Sequence, residues 1–229
     1  LSILTGPSVP PKSGGAPHQL AVLLHGYGSD GADLIGLAPY WQDGLPEARF
    51  IAPNAPQPCP GSPGYQWFPI YFGGREVSWS GATEARETLV RYLRELWDET
   101  GIAPENTLLA GFSQGAMVAL HAGLSIPERL MGIVAIAGAF APPPGFGEGK
   151  LGTPPVCLVH GDRDGVVEPR FSAEAARILE AAGIAVDYHV SPGVAHGIAP
   201  DGVAFVDQFI RKINQNNGNT VLHEQPSQD

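Results

Sequence analysis

A chain of 229 residues, 43% of them hydrophobic, suits one α/β domain with a sizeable core. Its formal net charge of −10, without any cluster of Lys and Arg, speaks against nucleic acid or an anionic membrane as a partner. No apolar run approaches the roughly 20 residues of a membrane span. The first residues lack the basic start and apolar centre of a signal peptide, and the two cysteines, Cys59 and Cys157, have no metal-ligand spacing and read as reduced thiols of a cytoplasmic protein.

Residues 7–19 are rich in Pro, Gly and Ser and read as a loop. Leu20 to Leu24 is a continuous apolar run, as expected of a strand covered on both faces. It ends in His25-Gly26-Tyr27-Gly28-Ser29-Asp30, where Asp30 suits the cap of a helix through about Trp41. Arg49 to Ala52 is a second strand. From Pro53 to Trp79 runs a long stretch crowded with Pro, Gly and aromatics, and loops of that length inside a compact domain are usually functional. Ser80 opens the clearest helix, with Ala82, Ala85, Leu89, Leu93, Leu96 and Trp97 near helical spacing, and Gly101 ends it.

Thr107 to Ala110 is a short buried strand, and Ala116 to Leu124 reads as a helix. Between them lies Gly111-Phe112-Ser113-Gln114-Gly115, a G-x-S-x-G pattern. A strand, a tight turn with serine at its apex and a helix expose a hydroxyl at the top of a sheet. The helix also points unpaired N–H groups and its positive end at that hydroxyl. Met131 to Ala137 is the next strand and residues 141–150 a Pro- and Gly-rich loop. Pro155 to Val159 is a strand that runs into His160-Gly161-Asp162-Arg163-Asp164. Ser172 is placed as the cap of a helix to about Ala182, and Val186 to Val190 is the last strand. Gly193 to Gly197 is a loop carrying His196, and Pro200 and Asp201 suit the first turn of a final helix through about Ile213. The chain thus divides into one domain over residues 1–213 and a polar tail over 214–229, expected to be disordered.

Buried strands alternating with helices call for one mainly parallel sheet with helices on both faces. In such sheets sites lie beyond the carboxyl ends of the strands. Ser113, Asp164, His196 and the His25-Gly26 segment all follow predicted strands, so one rule brings four separate stretches to one edge.

A serine hydroxyl needs a base within hydrogen-bond reach, and the base needs an orienting group. Ser113 is the candidate nucleophile and His196 the candidate base. Asp162 and Asp164 compete for the orienting role, with Asp164 preferred and the other left to bond the loop backbone; Glu168 and Asp201 are weaker candidates. An oxyanion needs N–H donors, for which the backbones of Gln114 and Tyr27 are in place. His25 and His160 read as structural. The aromatics Trp67, Phe68 and Tyr71, with Phe140 beyond the next strand, suit either core packing or an apolar substrate wall.

These stretches resemble the phospholipase/carboxylesterase family of α/β-hydrolases, relatives of the acyl-protein thioesterases. The likeness rests on Leu24 to Asp30, Trp67-Phe68, Ser80-Gly81-Ala82, Gly111 to Gly115, His160 to Val167 and His196-Gly197, and spans about residues 20 to 212. It implies an α/β-hydrolase fold, with the catalytic acid at Asp164. It also implies hydrolysis of a small-molecule carboxylic ester through an acyl-enzyme, without metal or cofactor. A thioesterase or lysophospholipase would use the same residues. A non-catalytic binding module on this fold would be expected to lack one of Ser113, Asp164 and His196, and all three are present. The chain departs from the family at Pro69, where Asp is frequent, and in its Pro- and Gly-rich segment from Phe140 to Gly152.

Overall fold

A computed structural model describes residues 4–70, 80–149 and 151–223. In chain order the strands are β1 (Ser8–Val9), β2 (Gln19–Leu24), β3 (Ala48–Ile51), β4 (Gln57–Pro58), β5 (Tyr65–Gln66), β6 (Thr107–Phe112), β7 (Gly132–Ile136), β8 (Val156–Gly161) and β9 (Val186–Ser191). The helices are α1 (Gly31–Leu34), α2 (Ala38–Trp41), α3 (Ser80–Thr100), α4 (Gln114–Gly123), α5 (Arg170–Ala181) and α6 (Pro200–His223).

Seven strands form one sheet in the order β1-β3-β2-β6-β7-β8-β9. Every pairing in it is parallel except that of β1 with β3. Successive side chains of a strand point to opposite faces, and the apolar runs divide accordingly. Leu20, Val22 and Leu24 of β2 join Leu109, Ile133 and Leu158 in a core capped by α3, α4 and α5. Ala21 and Leu23 join Leu108, Val134 and Cys157 in a second core, on the opposite face, capped by α1, α2 and α6. Unbroken apolar strands are what a sheet covered on both sides requires. At about 1.5–3 kcal/mol for each fully buried large apolar side chain, these two layers dominate the stability of the fold.

The chain leaves β2 toward β3 on one side and returns to β6 on the other, so the strand order reverses between β2 and β6. Loops that diverge at such a point leave a crevice beyond the carboxyl ends of the strands. The register pairs Leu24 with Gly111, which brings His25 and Phe112 out at the same level.

Several elements differ from the sequence expectation. Ser8 and Val9 form an antiparallel edge strand against Ile51 and Phe50 where a plain loop was expected. Two residues carry too little pattern to be recognised. Asp30 does cap α1, its side chain accepting from the Asp33 N–H at 3.0 Å. The helix to Trp41 is broken, however, by a 3₁₀ turn at Ile35–Leu37. Pro39 has no N–H to give to the Ile35 carbonyl, which accounts for the break. Ser172 does not cap α5, which is preceded by Pro169; it lies inside the first turns, buried, and turns inward.

The final helix does not stop at Ile213 but continues to His223, so the expected polar tail is helical over residues 214–223. Two polar residues past Ile213 have fixed partners. Asn214 accepts from Gln19 Nε2 at 2.7 Å and donates to the Gly44 carbonyl at 2.9 Å, and Asn217 donates to the Glu105 carbonyl at 2.7 Å. Asn214→Ala should therefore destabilise the protein by about 1–2 kcal/mol, the effect of losing buried or half-buried hydrogen bonds. Urea denaturation checks this, and an unchanged midpoint would show the extension contributes nothing.

Candidate active site

Ser113 sits between β6 and α4 with φ 53° and ψ −116°, outside the regions an L-residue adopts comfortably. Such a conformation costs on the order of 1–3 kcal/mol and must be held by its surroundings. The Ser113 N–H donates to the Ile136 carbonyl at 2.8 Å, and its own carbonyl accepts the Met117 N–H at 3.1 Å, starting α4. The flanking glycines are required by contact. A β-carbon on Gly111 would lie 2.3 Å from the Gly115 carbonyl oxygen, and one on Gly115 would lie 2.1 Å from that of Leu24. No side chain fits either gap. All ten residues of α4 are buried, so the turn has no freedom to open.

His196 Nε2 lies 2.9 Å from Ser113 Oγ, and His196 Nδ1 lies 2.6 Å from Asp164 Oδ2. Three side chains far apart in the chain thus form one hydrogen-bonded line. The Asp164 side chain is fully buried while that of His196 is 19% exposed. The ring of Phe112 packs against His196 at 5.0 Å between centroids. Burial works to raise the Asp164 carboxyl, but the hydrogen bond from His196 and the N–H groups of Val167 and Val166 outweigh it and hold the group below the usual carboxylate range. Those N–H groups reach Asp164 Oδ1 at 2.9 and 2.8 Å.

Asp162 does not touch the imidazole. Its Oδ1 accepts the Gly193 N–H at 2.6 Å, and the neighbouring Arg163 N–H donates to the Val194 carbonyl at 2.9 Å. The two acids therefore divide the work expected of them: one meets the His196 ring, the other pins the loop that carries it. Glu168 pairs with Arg170 on the surface at 2.9 Å. Asp201 pairs with His189 at 2.8 Å, and that contact holds its carboxyl below the ordinary value.

The turn after β2 closes on the serine from the other side. A β-carbon on Gly26 would lie 3.4 Å from Ser113 Cβ, so the backbone at Gly26 runs beside the serine side chain. Gln114 opens α4, where the first N–H groups have no intrahelical acceptor. Its buried side chain accepts the Trp67 N–H at 2.8 Å and donates to the Phe68 carbonyl at 2.7 Å. Trp67 Nε1 in turn donates to the His25 carbonyl at 2.9 Å. His25 Nε2 accepts the Ala55 N–H at 2.9 Å, which leaves the proton on Nδ1, 2.8 Å from the Gly26 carbonyl. Burial pushes the His25 pKa down, keeping the ring neutral as this pattern needs. The Gln114 side chain is a part of the site that sequence reading missed, since only its backbone was considered.

The aromatics are more buried than a substrate wall requires. Trp67 and Phe68 are 1% and 2% exposed and belong to the core beneath α3; core packing accounts for both. Phe140 meets Phe146 edge-on at 5.3 Å. Tyr71 lies outside the described residues. Among the described residues no group of His, Cys, Asp and Glu is placed to hold a metal ion, and no helix is long and apolar enough to cross a membrane.

The family model described as Phospholipase/Carboxylesterase matches residues 8–214. Acyl-protein thioesterase 1 of Saccharomyces cerevisiae is 30% identical over 210 residues, covering 85% of this chain and 92% of its own. Acyl-protein thioesterase 1 of Gibberella zeae is 29% identical over 208 residues, covering 83% and 88%. Among solved structures, esterase PE8 superposes with a TM-score of 0.87 at 45% identity, covering 92% of this chain and 99% of its own. The Bacillus cereus carboxylesterase shares the fold, with a TM-score of 0.78 at 20% identity over 92% and 94% of the two chains. With a mostly parallel sheet, a serine at the turn between β6 and α4 and a family match over nearly its whole length, the chain belongs to the phospholipase/carboxylesterase family of α/β-hydrolases, enzymes that cleave esters.

Proposed function

We propose that this esterase works through Ser113 as nucleophile, His196 as general base and acid, and Asp164 as the group that orients the imidazole. The observation that carries the reading is the unbroken line from Ser113 Oγ through His196 to Asp164, at 2.9 and 2.6 Å. His196 Nε2 removes the proton as Oγ attacks the ester carbonyl. The resulting imidazolium is balanced by the Asp164 carboxylate, and the oxyanion is met by the backbone N–H groups of Gln114 and Tyr27. On collapse, the C–O bond breaks and His196 returns its proton to the leaving alkoxide. Water, deprotonated by His196, then attacks the acyl-Ser113 ester; the acyl–Oγ bond breaks, His196 returns the proton to Ser113 Oγ, and the carboxylic acid departs.

Cys59 and Cys157 are both free and buried, which suits a reducing compartment, and we place the enzyme in the cytoplasm. A thioester substrate is the second reading, favoured by the acyl-protein thioesterases among its relatives. The same residues serve it, with a thiolate as leaving group.

Ser113→Ala should lower kcat/KM for a short-chain aryl ester by at least about 10⁴-fold and abolish labelling by a fluorophosphonate, with the melting curve retained. Full activity in that variant would rule the assignment out. Comparing kcat/KM for an ester and a thioester of the same acyl chain decides between the two substrates; a clear preference for the thioester replaces the ester reading.

The depressed pKa of Asp164 also fixes a sign. Its folded value lies below its unfolded one, near 3.9, so its contribution to stability is complete above that pH. It fades as the pH falls through the folded value. The stability difference between the wild type and Asp164→Asn should hold steady above about pH 5 and shrink below it. A difference that stays constant through the aspartate range would contradict the assigned ionisation.

A further inference from the structure

Asp164 carries a second imidazole. His160, at the end of β8, is fully buried, and its Nε2 stands 3.2 Å from Asp164 Oδ2, the same oxygen that meets His196. The same Nε2 lies 2.8 Å from the Val167 carbonyl. A nitrogen facing a carbonyl must bear the proton, so Nε2–H donates to the Val167 carbonyl and merely passes close to the carboxylate. Nδ1 then accepts from the Ser172 hydroxyl at 2.6 Å, whose oxygen also lies 3.3 Å from the Gly138 carbonyl. Every polar atom of the ring is thus spoken for, by α5, by the turn after β7 and by the loop that carries Asp164.

We propose that His160 is a positioning residue for ester hydrolysis, its Nε2–H holding the Val167 carbonyl and so the loop whose N–H groups set the Asp164 carboxylate against His196. This rests on the assignment of Ser113, His196 and Asp164 made above. The two N–H groups of Val166 and Val167 both bind Oδ1, so the carboxylate is placed only as well as the loop that supplies them. By holding the Val167 carbonyl, His160 fixes that loop segment. Its own anchor is Ser172, which explains why that serine turns inward from α5 instead of capping it.

Three variants and one control test this. His160→Leu keeps the bulk and removes the donor; His160→Gln can place an amide N–H where Nε2–H was; Ser172→Ala frees the ring without touching Asp164. Each is measured for kcat and KM on an aryl ester, for its melting temperature, and by proton NMR for the low-field signal of the His196 Nδ1–H. The expected result is a fall in kcat of roughly tenfold or more in the Leu variant, KM within about twofold and a displaced low-field signal. The Gln variant should recover to within about threefold of wild type.

A folded Leu variant with wild-type kcat and an unmoved signal overturns the proposal, as does a Gln variant that falls as far as Leu. Should the Leu variant give no cooperative melt, Ser172→Ala decides. A loss of about threefold in kcat with a displaced signal supports the proposal; wild-type values overturn it. Asp164→Asn is the control. If it keeps full activity, the assignment of the three catalytic groups fails and this inference with it. If it loses about 10⁴-fold while His160→Leu loses nothing, only the role of His160 fails.

Discussion

The structure turns on one close contact, the first turn of α4 lying against the end of β2. At Gly115 the helix backbone comes so near the Leu24 carbonyl that a β-carbon would stand 2.1 Å from it. That contact holds three things at once. It sets Ser113 at the apex of a turn too tight for ordinary backbone angles, and it lays the backbone at Gly26 beside the serine side chain. It also brings Gln114 within reach of the Trp67–Phe68 backbone. The sheet supplies the rigidity: β2 and β6 lie side by side near its middle, and the helix between the turn and α3 is buried on every side. Strain of about 1–3 kcal/mol at one serine is small beside two apolar layers of this size, so the turn persists.

Electrostatics decide what the turn can do. A carboxylate with no exposed surface is costly to ionise unless hydrogen bonds replace the water it loses. Asp164 has two backbone N–H groups on one oxygen and the His196 Nδ1–H on the other. The surroundings therefore favour its charged form despite burial. An ionised Asp164 favours the tautomer of His196 with the proton on Nδ1, by accepting a hydrogen bond from it, and in the proposed mechanism would stabilise the imidazolium formed during attack. The lone pair of Nε2 is then directed at Ser113 without further adjustment.

Much of this was legible in the residues alone. Strand ends place Ser113, Asp164 and His196 at one edge, because long apolar runs admit only a covered parallel sheet and such sheets put sites at their carboxyl ends. Less legible was anything carried by a side chain whose local sequence points elsewhere. Ser172 stands where a cap is expected, yet its hydroxyl serves a histidine twelve positions back; only the meeting of α5 with β8 reveals it. The Gln114 side chain reaches Trp67 across 47 positions, beyond any local pattern. Trp67 and Phe68 read equally as wall or core, and their burial follows from α3 closing over them. The extension of α6 past Ile213 was hidden by its composition. Asn and Gln look like tail residues until Gln19, Gly44 and Glu105 are seen to bind them.

Three histidines meet this edge of the sheet, each followed by glycine, and their ring nitrogens separate them. His25 spends both on backbone, taking the Ala55 N–H and facing the Gly26 carbonyl, so it has no proton to move and serves as a strut. His160 spends one on the Ser172 hydroxyl and the other on the Val167 carbonyl, within a ring that has no exposed surface. A proton leaving it would have nowhere to go. His196 alone has a carboxylate on one nitrogen, a strained serine hydroxyl on the other, and an edge open to solvent. In the mechanism proposed above, a proton taken from Ser113 would pass through that ring to the leaving group and water would refill the site. The division of labour among identical side chains thus follows from what the fold puts against each nitrogen, and the chemistry falls to the one ring whose partners can both change during a turnover.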